Sequence, residues 1–156
     1  MKKLLLLSLF CFLALSMKAP SSEMAAANGF VNLGLPSGTL WKAKNETGYF
    51  TYDQAMARFG KSLPTKEQWE ELIVRCTWTW TGKGYRVKGK NGNSIELQAQ
   101  GYSHNDSLMR VGALGYYWSS TPDDSDGGWG LYFNAKNHAV FGFVRNFGRS
   151  VRLVSK

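Results

Sequence analysis

Leu63-Pro64-Thr65-Lys66-Glu67-Gln68-Trp69-Glu70-Glu71-Leu72 is the stretch from which the rest of the chain can be read. Thr65 and Gln68 form a capping box: the hydroxyl accepts from a free amide of the first turn, and the Gln side chain returns to the N–H of the cap. Trp69, Leu72, Ile73 and Cys76 follow at i, i+3, i+4 and i+7, which makes one apolar stripe. Glu67, Glu70 and Glu71 lie near the positive end of the helix dipole and are expected to face water. A second capping box, Thr51-Tyr52-Asp53-Gln54, opens an earlier helix. Tyr52, Ala55, Met56 and Phe59 are its stripe, and Gly60 is its stop.

After Cys76 the helical period disappears. Tyr85 to Lys88 and Ser94 to Leu97 flank Lys90-Asn91-Gly92-Asn93, which reads as a hairpin with Asn-Gly at its tip. Upstream, Phe30 to Leu33 and Thr39 to Trp41 read as short strands around the turn Leu35-Pro36-Ser37-Gly38. Downstream, the strand candidates are Tyr116 to Ser119, Gly130 to Phe133, Ala139 to Val144 and Ser150 to Val154. The polar, glycine-rich run from Thr121 to Gly128 is expected to be an exposed loop. Two early helices followed by strands make an α+β pattern.

The N-terminus has a different character. Lys2 and Lys3 precede an apolar run from Leu4 to Leu15, too short to span a bilayer and of the length of a signal-peptide core. Ser16 and Ala19 both end segments that a signal peptidase accepts. The expected division is a signal peptide over 1–19, a linker over 20–28 and one domain over 29–156, giving an exported protein, secreted or at the cell surface. Cys11 raises the question of a lipid anchor, but Phe10 directly before it and the surrounding apolar run fit lipoprotein processing badly.

Export changes the chemistry expected of the rest. Cys76 is the only cysteine left, so no intramolecular disulfide is available and a core must supply the stability. A chain of this length buries roughly two thirds of its unfolded surface. Without Lys2, Lys3 and Lys18, sixteen basic residues stand against eleven acidic ones, a net charge of +5. The basic residues are scattered, apart from Lys83, Arg86, Lys88 and Lys90. That argues against nucleic acid as a partner, and a mildly basic surface favours anionic glycans or cell envelopes. No transmembrane segment is expected in the mature part.

Several segments together resemble the Fibrobacter succinogenes major paralogous domain family, common among exported proteins of Bacteroidetes. They are Asn32 to Trp41, Leu63 to Leu72, Thr77 to Trp80, Gly89 to Ile95, Gly115 to Thr121 and Gly148 to Val154, in the family's order. The resemblance runs from about Phe30 to the end of the chain. That family is similar in turn to the C-type lectin-like superfamily, which includes adhesin domains, formylglycine-generating enzymes and the variable proteins of diversity-generating retroelements. The resemblance implies a C-type lectin-like fold, with two helices early in the chain, a twisted, mostly antiparallel sheet and paired terminal strands. Function does not follow from fold alone.

The enzymatic relatives use a pair of cysteines late in the chain to hold copper. Here only Cys76 remains, on a helical apolar stripe where packing is the ordinary role of a thiol. His104 and His138 have no zinc spacing, and no nucleophile elbow is present. No catalytic residue, resident metal or cofactor is therefore expected. Calcium-dependent sugar-binding C-type lectins use Glu-Pro-Asn or Gln-Pro-Asp together with Trp-Asn-Asp, and none of these occurs. Asp123, Asp124 and Asp126 gather the oxygen chemistry of a calcium site but lack EF-hand spacing, and an acidic solvated loop is the plainer reading. Asn45-Glu46-Thr47 and Asn105-Asp106-Ser107 match glycosylation sequons, which carry little weight in a bacterial context.

Six tryptophans are many for one domain. Trp69 and Trp118 fall in core patterns, whereas Trp129, between glycines, either stacks on a ligand or covers a sheet edge. Trp129, Tyr132, Asn134, Asn137, His138, Arg145 and Asn146 are the candidate ligand-binding residues, polar or aromatic groups on a glycine-rich frame. In retroelement-diversified relatives the same C-terminal stretch carries the variable residues. The expected partner is a glycan or a surface protein, bound without catalysis. A protein-binding receptor or structural component, with the retroelement-diversified type among its forms, is the alternative, and the sequence does not set the oligomeric state.

Overall fold

A computed structural model describes residues 29–124 and 126–156 of the chain. The expected signal peptide, Cys11 and the linker lie outside the described residues. Both capping boxes are formed. Thr51 caps helix α1 (Tyr52–Phe59) and Thr65 caps helix α2 (Lys66–Arg75), each with the reciprocal Gln bond in place. Between them Gly60–Ser62 makes one turn of 3₁₀ helix. Tyr52 and Ala55 are buried on α1, and Trp69 and Leu72 on α2, as the helical stripes require. Glu71 does not simply face water. Its carboxylate accepts from both the amide and the hydroxyl of Ser37, tying α2 to an upstream turn.

Strands β1 (Phe30–Asn32) and β2 (Leu40–Lys42) pair around that turn, and β11 (Val154–Ser155) joins the other side of β2. The last of the described strands thus shares a sheet with the first two. Strands β3 (Thr77–Trp80), β4 (Gly84–Lys88) and β5 (Ser94–Gln98) form a second sheet, with the Asn-Gly tip between β4 and β5. Asn91 and Asn93 at that tip both donate to the Asn32 carbonyl, which docks the hairpin on β1. Strands β6 (Tyr102–His104) and β7 (Ser107–Met109) form a small hairpin whose turn residues Asn105 and Asp106 both have positive φ.

The third sheet positions the candidate site. Strands β8 (Gly115–Asp123), β9 (Gly127–Phe133) and β10 (His138–Val144) lie in chain order, antiparallel throughout. Here two expectations are corrected. The run from Thr121 to Gly128 is mostly strand, because β8 continues past a register shift to pair Pro122 with Gly128 and Asp123 with Gly127. Ser150 to Val154, expected as a strand, is strand only from Val154, and the residues before it share single bonds with several elements, among them Trp118 N–H to Ser150 and Lys42 N–H to Leu153. The described antiparallel ladders are four small sheets, not one continuous twisted sheet.

The architecture is α+β. On one face of the third sheet Tyr117, Leu131 and Phe133 join Trp41, Trp69, Leu72 and the second sheet's Tyr85, Val87 and Leu97 in the larger core. Trp69 donates its indole N–H to the Trp118 carbonyl and packs its ring on Trp41, 4.6 Å between centroids. On the other face α1 covers part of the sheet through Phe50, Tyr52, Ala55, Trp118 and Val151. Gly128 lets the Tyr52 ring lie against the β9 backbone, where a Cβ would overlap the ring. Among the described residues no helix is long and apolar enough to cross a membrane.

Candidate functional site

Because strand side chains alternate, neighbours along β8–β10 serve opposite faces. The sequence candidates are divided by this alternation. Trp129, level with Gly142 of β10, lies on the α2 side, where the Lys66 ammonium sits 3.7 Å from the centre of its ring. His138 is on the same side, stacked on Trp78. Burial holds the His138 imidazole below its ordinary pKa, so it favours the neutral form. Tyr132 lies on the opposite side, against Tyr116 and Phe141.

Asn134 and Asn137 belong to the β9–β10 turn. The Asn134 carbonyl oxygen accepts from the amides of Lys136 and Asn137, and its amide donates to the Tyr132 hydroxyl. Asn137 is exposed, as is Asn146. Arg145 bonds Asp53 at 2.9 Å and also Asp126, joining α1 to the β8–β9 turn. Asp126 is thereby engaged by a cation. Among the described residues no three His, Cys, Asp or Glu side chains are grouped to hold a metal ion. Cys76, unpaired, ends α2, and burial together with the nearby Glu71 pushes its thiol up to about 11. The Asn45 amide of the first sequon is bonded to Gln100 and to the Tyr117 hydroxyl.

A different cluster emerges on the Tyr132 side. Tyr116, Tyr132, Phe141 and Phe143 share this face of the sheet, with ring centroids 5.2–5.9 Å apart in successive pairs. Tyr102 of β6 meets Tyr116 edge-on and stacks on Phe147, and Phe147 also touches His104. At the Trp118 end these rings are covered by α1; at the Tyr132 end Phe141 is 51 % exposed. Arg149 reaches into the row from the segment after β10, its guanidinium 4.2 Å from the Phe143 centroid and about as close to Tyr116 and Trp118.

Burial, then the Tyr132 phenol, hold the Tyr116 hydroxyl above its ordinary range, while Arg149 pulls it down. Burial pushes the Arg149 guanidinium down to about 10, against the pull of Tyr116 and Tyr102, which leaves it charged at neutral pH. The sequence does carry a signal for this face: Tyr116 and Trp118, then Phe141 and Phe143, are aromatic at alternate positions. Arg149 could not be assigned to it, because what surrounds Arg149 comes from three separate segments.

Residues 85–154 match the model of a family described as Domain of unknown function (DUF8237). The match contains β8–β10 and Arg149 but neither helix. No curated protein and no solved structure matches the chain.

Proposed function

We propose that this protein is an exported, non-catalytic binding module that recognises glycans through the aromatic face of β8–β10. The carrying observation is the row of Tyr116, Tyr132, Phe141 and Phe143, flanked by Tyr102 and Phe147 and exposed at its Phe141 end. Exposed apolar patches with polar rims mark interaction sites, and rings with a hydroxyl handle suit ligands that are part apolar and part hydroxylated. The C–H face of a sugar ring is such a ligand. Tyr132 is the stacking residue in this reading, and Asn134 holds its hydroxyl.

Kinship with the major paralogous domain family and a C-type lectin-like fold belong to the same proposal. They are supported by two capped early helices, small antiparallel sheets and a last strand paired with β2. A protein ligand is the second reading. It is favoured by the exposed side chains Leu108, Met109 and Val111, of which Met109 pairs across the hairpin with Tyr102 of the aromatic row.

Paired variants test the site. Tyr132→Ala is expected to abolish glycan binding in a folded protein, while Trp129→Ala on the opposite face leaves it intact. The reverse pattern would move the site to the α2 side of the sheet.

A further inference from the structure

Two arginines three positions apart near the C-terminus are treated very differently by the fold. Arg152 is fully buried and its guanidinium is satisfied by oxygens: Nε donates to Asn45 Oδ1 at 2.8 Å, and Nη1 to the carbonyls of Lys42 and Ala43. Its Nη2 donates to the Glu96 carbonyl. Arg149 is only 4 % exposed, yet among the described residues no oxygen accepts from its guanidinium, and its Nε is buried without a partner. Four rings surround it instead: Tyr116, Trp118, Phe143 and Phe147.

Ring faces offset part of the cost of burying a cation, but they take none of its directional N–H bonds. A buried guanidinium left this way is costly unless something pairs with it. A carboxylate matches the guanidinium fork, with two parallel bonds in a desolvated setting. No carboxylate among the described residues forms an ion pair with Arg149. The other charged side chain acting on Tyr116 is the cationic Arg110. The missing acceptor is therefore best supplied from outside, at the place where the aromatic row begins.

We propose that Arg149 and its surrounding rings bind the carboxylate of an acidic sugar, whose ring lies along Tyr116, Tyr132 and Phe141. This rests on the glycan reading above and specifies its ligand class. A sugar carboxylate is attached directly to the ring, so one residue satisfies both the cation and the aromatic surface. A single guanidinium suits a monoanion. The net positive charge of the domain adds long-range attraction that salt screens.

The test is titration of the purified protein with trigalacturonate and with sialyllactose, each beside its methyl ester and a neutral oligosaccharide. The two acids distinguish a uronic from a nonulosonic source. The proposal predicts at least tenfold tighter binding of an acid than of its ester, weakening with added salt and lost in Arg149→Gln. Because that variant removes a buried group, the Nε–H NMR resonance of Arg149 in the unsubstituted protein provides a second readout. It should shift with the acid and not with the ester. Equal binding of acid and ester would overturn the carboxylate assignment while leaving the glycan reading in place. An acid preference with a silent Arg149 resonance would assign the contact to another cation and overturn the proposal. Tighter binding of an acidic tripeptide than of either sugar would replace the sugar by a peptide. Failure of every saccharide, neutral ones included, would overturn both this inference and the reading beneath it.

Discussion

The imidazole of His138 lies flat on the indole of Trp78, 4.3 Å between centroids and 6° between planes. The contact fastens β10 to β3 and withdraws the imidazole from water. Burial lowers the His138 pKa below its usual 6.5. The unfolded chain therefore binds the proton more readily than the folded one, and stability rises with pH through this window. Urea midpoints should fall between pH 7.5 and pH 5.5. His138→Phe, which keeps the stacking, should show a smaller fall. Identical pH slopes for the two proteins would contradict the assignment.

Gly128 brings α1 against bare strand backbone. Its missing side chain leaves the space that the Tyr52 ring occupies, and Tyr52 in turn donates to the Ser120 carbonyl. Gly128→Ala should destabilise the protein by about 1–3 kcal/mol, the cost of overpacking a filled site. Addition of Tyr52→Phe should not relieve the cost, since the clash is with the ring. Equilibrium denaturation of the single and double variants checks both statements.

Trp118 joins the two cores. It is fully buried, donates its indole N–H to the Phe50 carbonyl, and accepts the indole N–H of Trp69 at its own carbonyl. Trp118→Ala should cost about 3–5 kcal/mol. Trp129→Ala removes a half-buried ring capped by Lys66 and should cost clearly less. Thermal melts of the two variants give the comparison.

Cys76 is predicted to be a poor nucleophile. With its thiol pushed up to about 11, little thiolate exists at neutral pH. Alkylation at pH 7.5 should be at least about tenfold slower than for an exposed cysteine, and should speed up on unfolding. Rapid labelling of the folded protein would contradict the packing described for the end of α2.

Local signals carried most of what was legible in advance. The boxes at Thr51 and Thr65 and the Asn91-Gly92 tip are complete within four or five residues, so their reading needs no tertiary knowledge. Asn105-Asp106 is also a local turn signal, since both residues take positive φ, although the same residues match a sequon. Thr121 to Gly128 misled because its polarity resembles a loop, whereas pairing across a bulge and the approach of Tyr52 decide its conformation. At the candidate site, seven residues of suitable chemistry lie along one stretch of sequence. Strand alternation then sent Trp129 and His138 to one face and Tyr132 to the other, and drew Asn134 and Arg145 into turn and ion-pair roles. Tyr102, Phe147 and Arg149 come to the aromatic row from beyond β8–β10, through contacts no sequence period records.

The most direct measurement is a glycan-array screen of the purified protein, with calcium and then with chelator, repeated with Tyr132→Ala. The account predicts selective binding that survives chelation and disappears in the variant. Binding that disappears with chelator would put the site at the Asp123 to Asp126 turn instead. Binding that is indifferent to Tyr132, or no binding by a well-folded sample, would contradict recognition of glycans by the aromatic face.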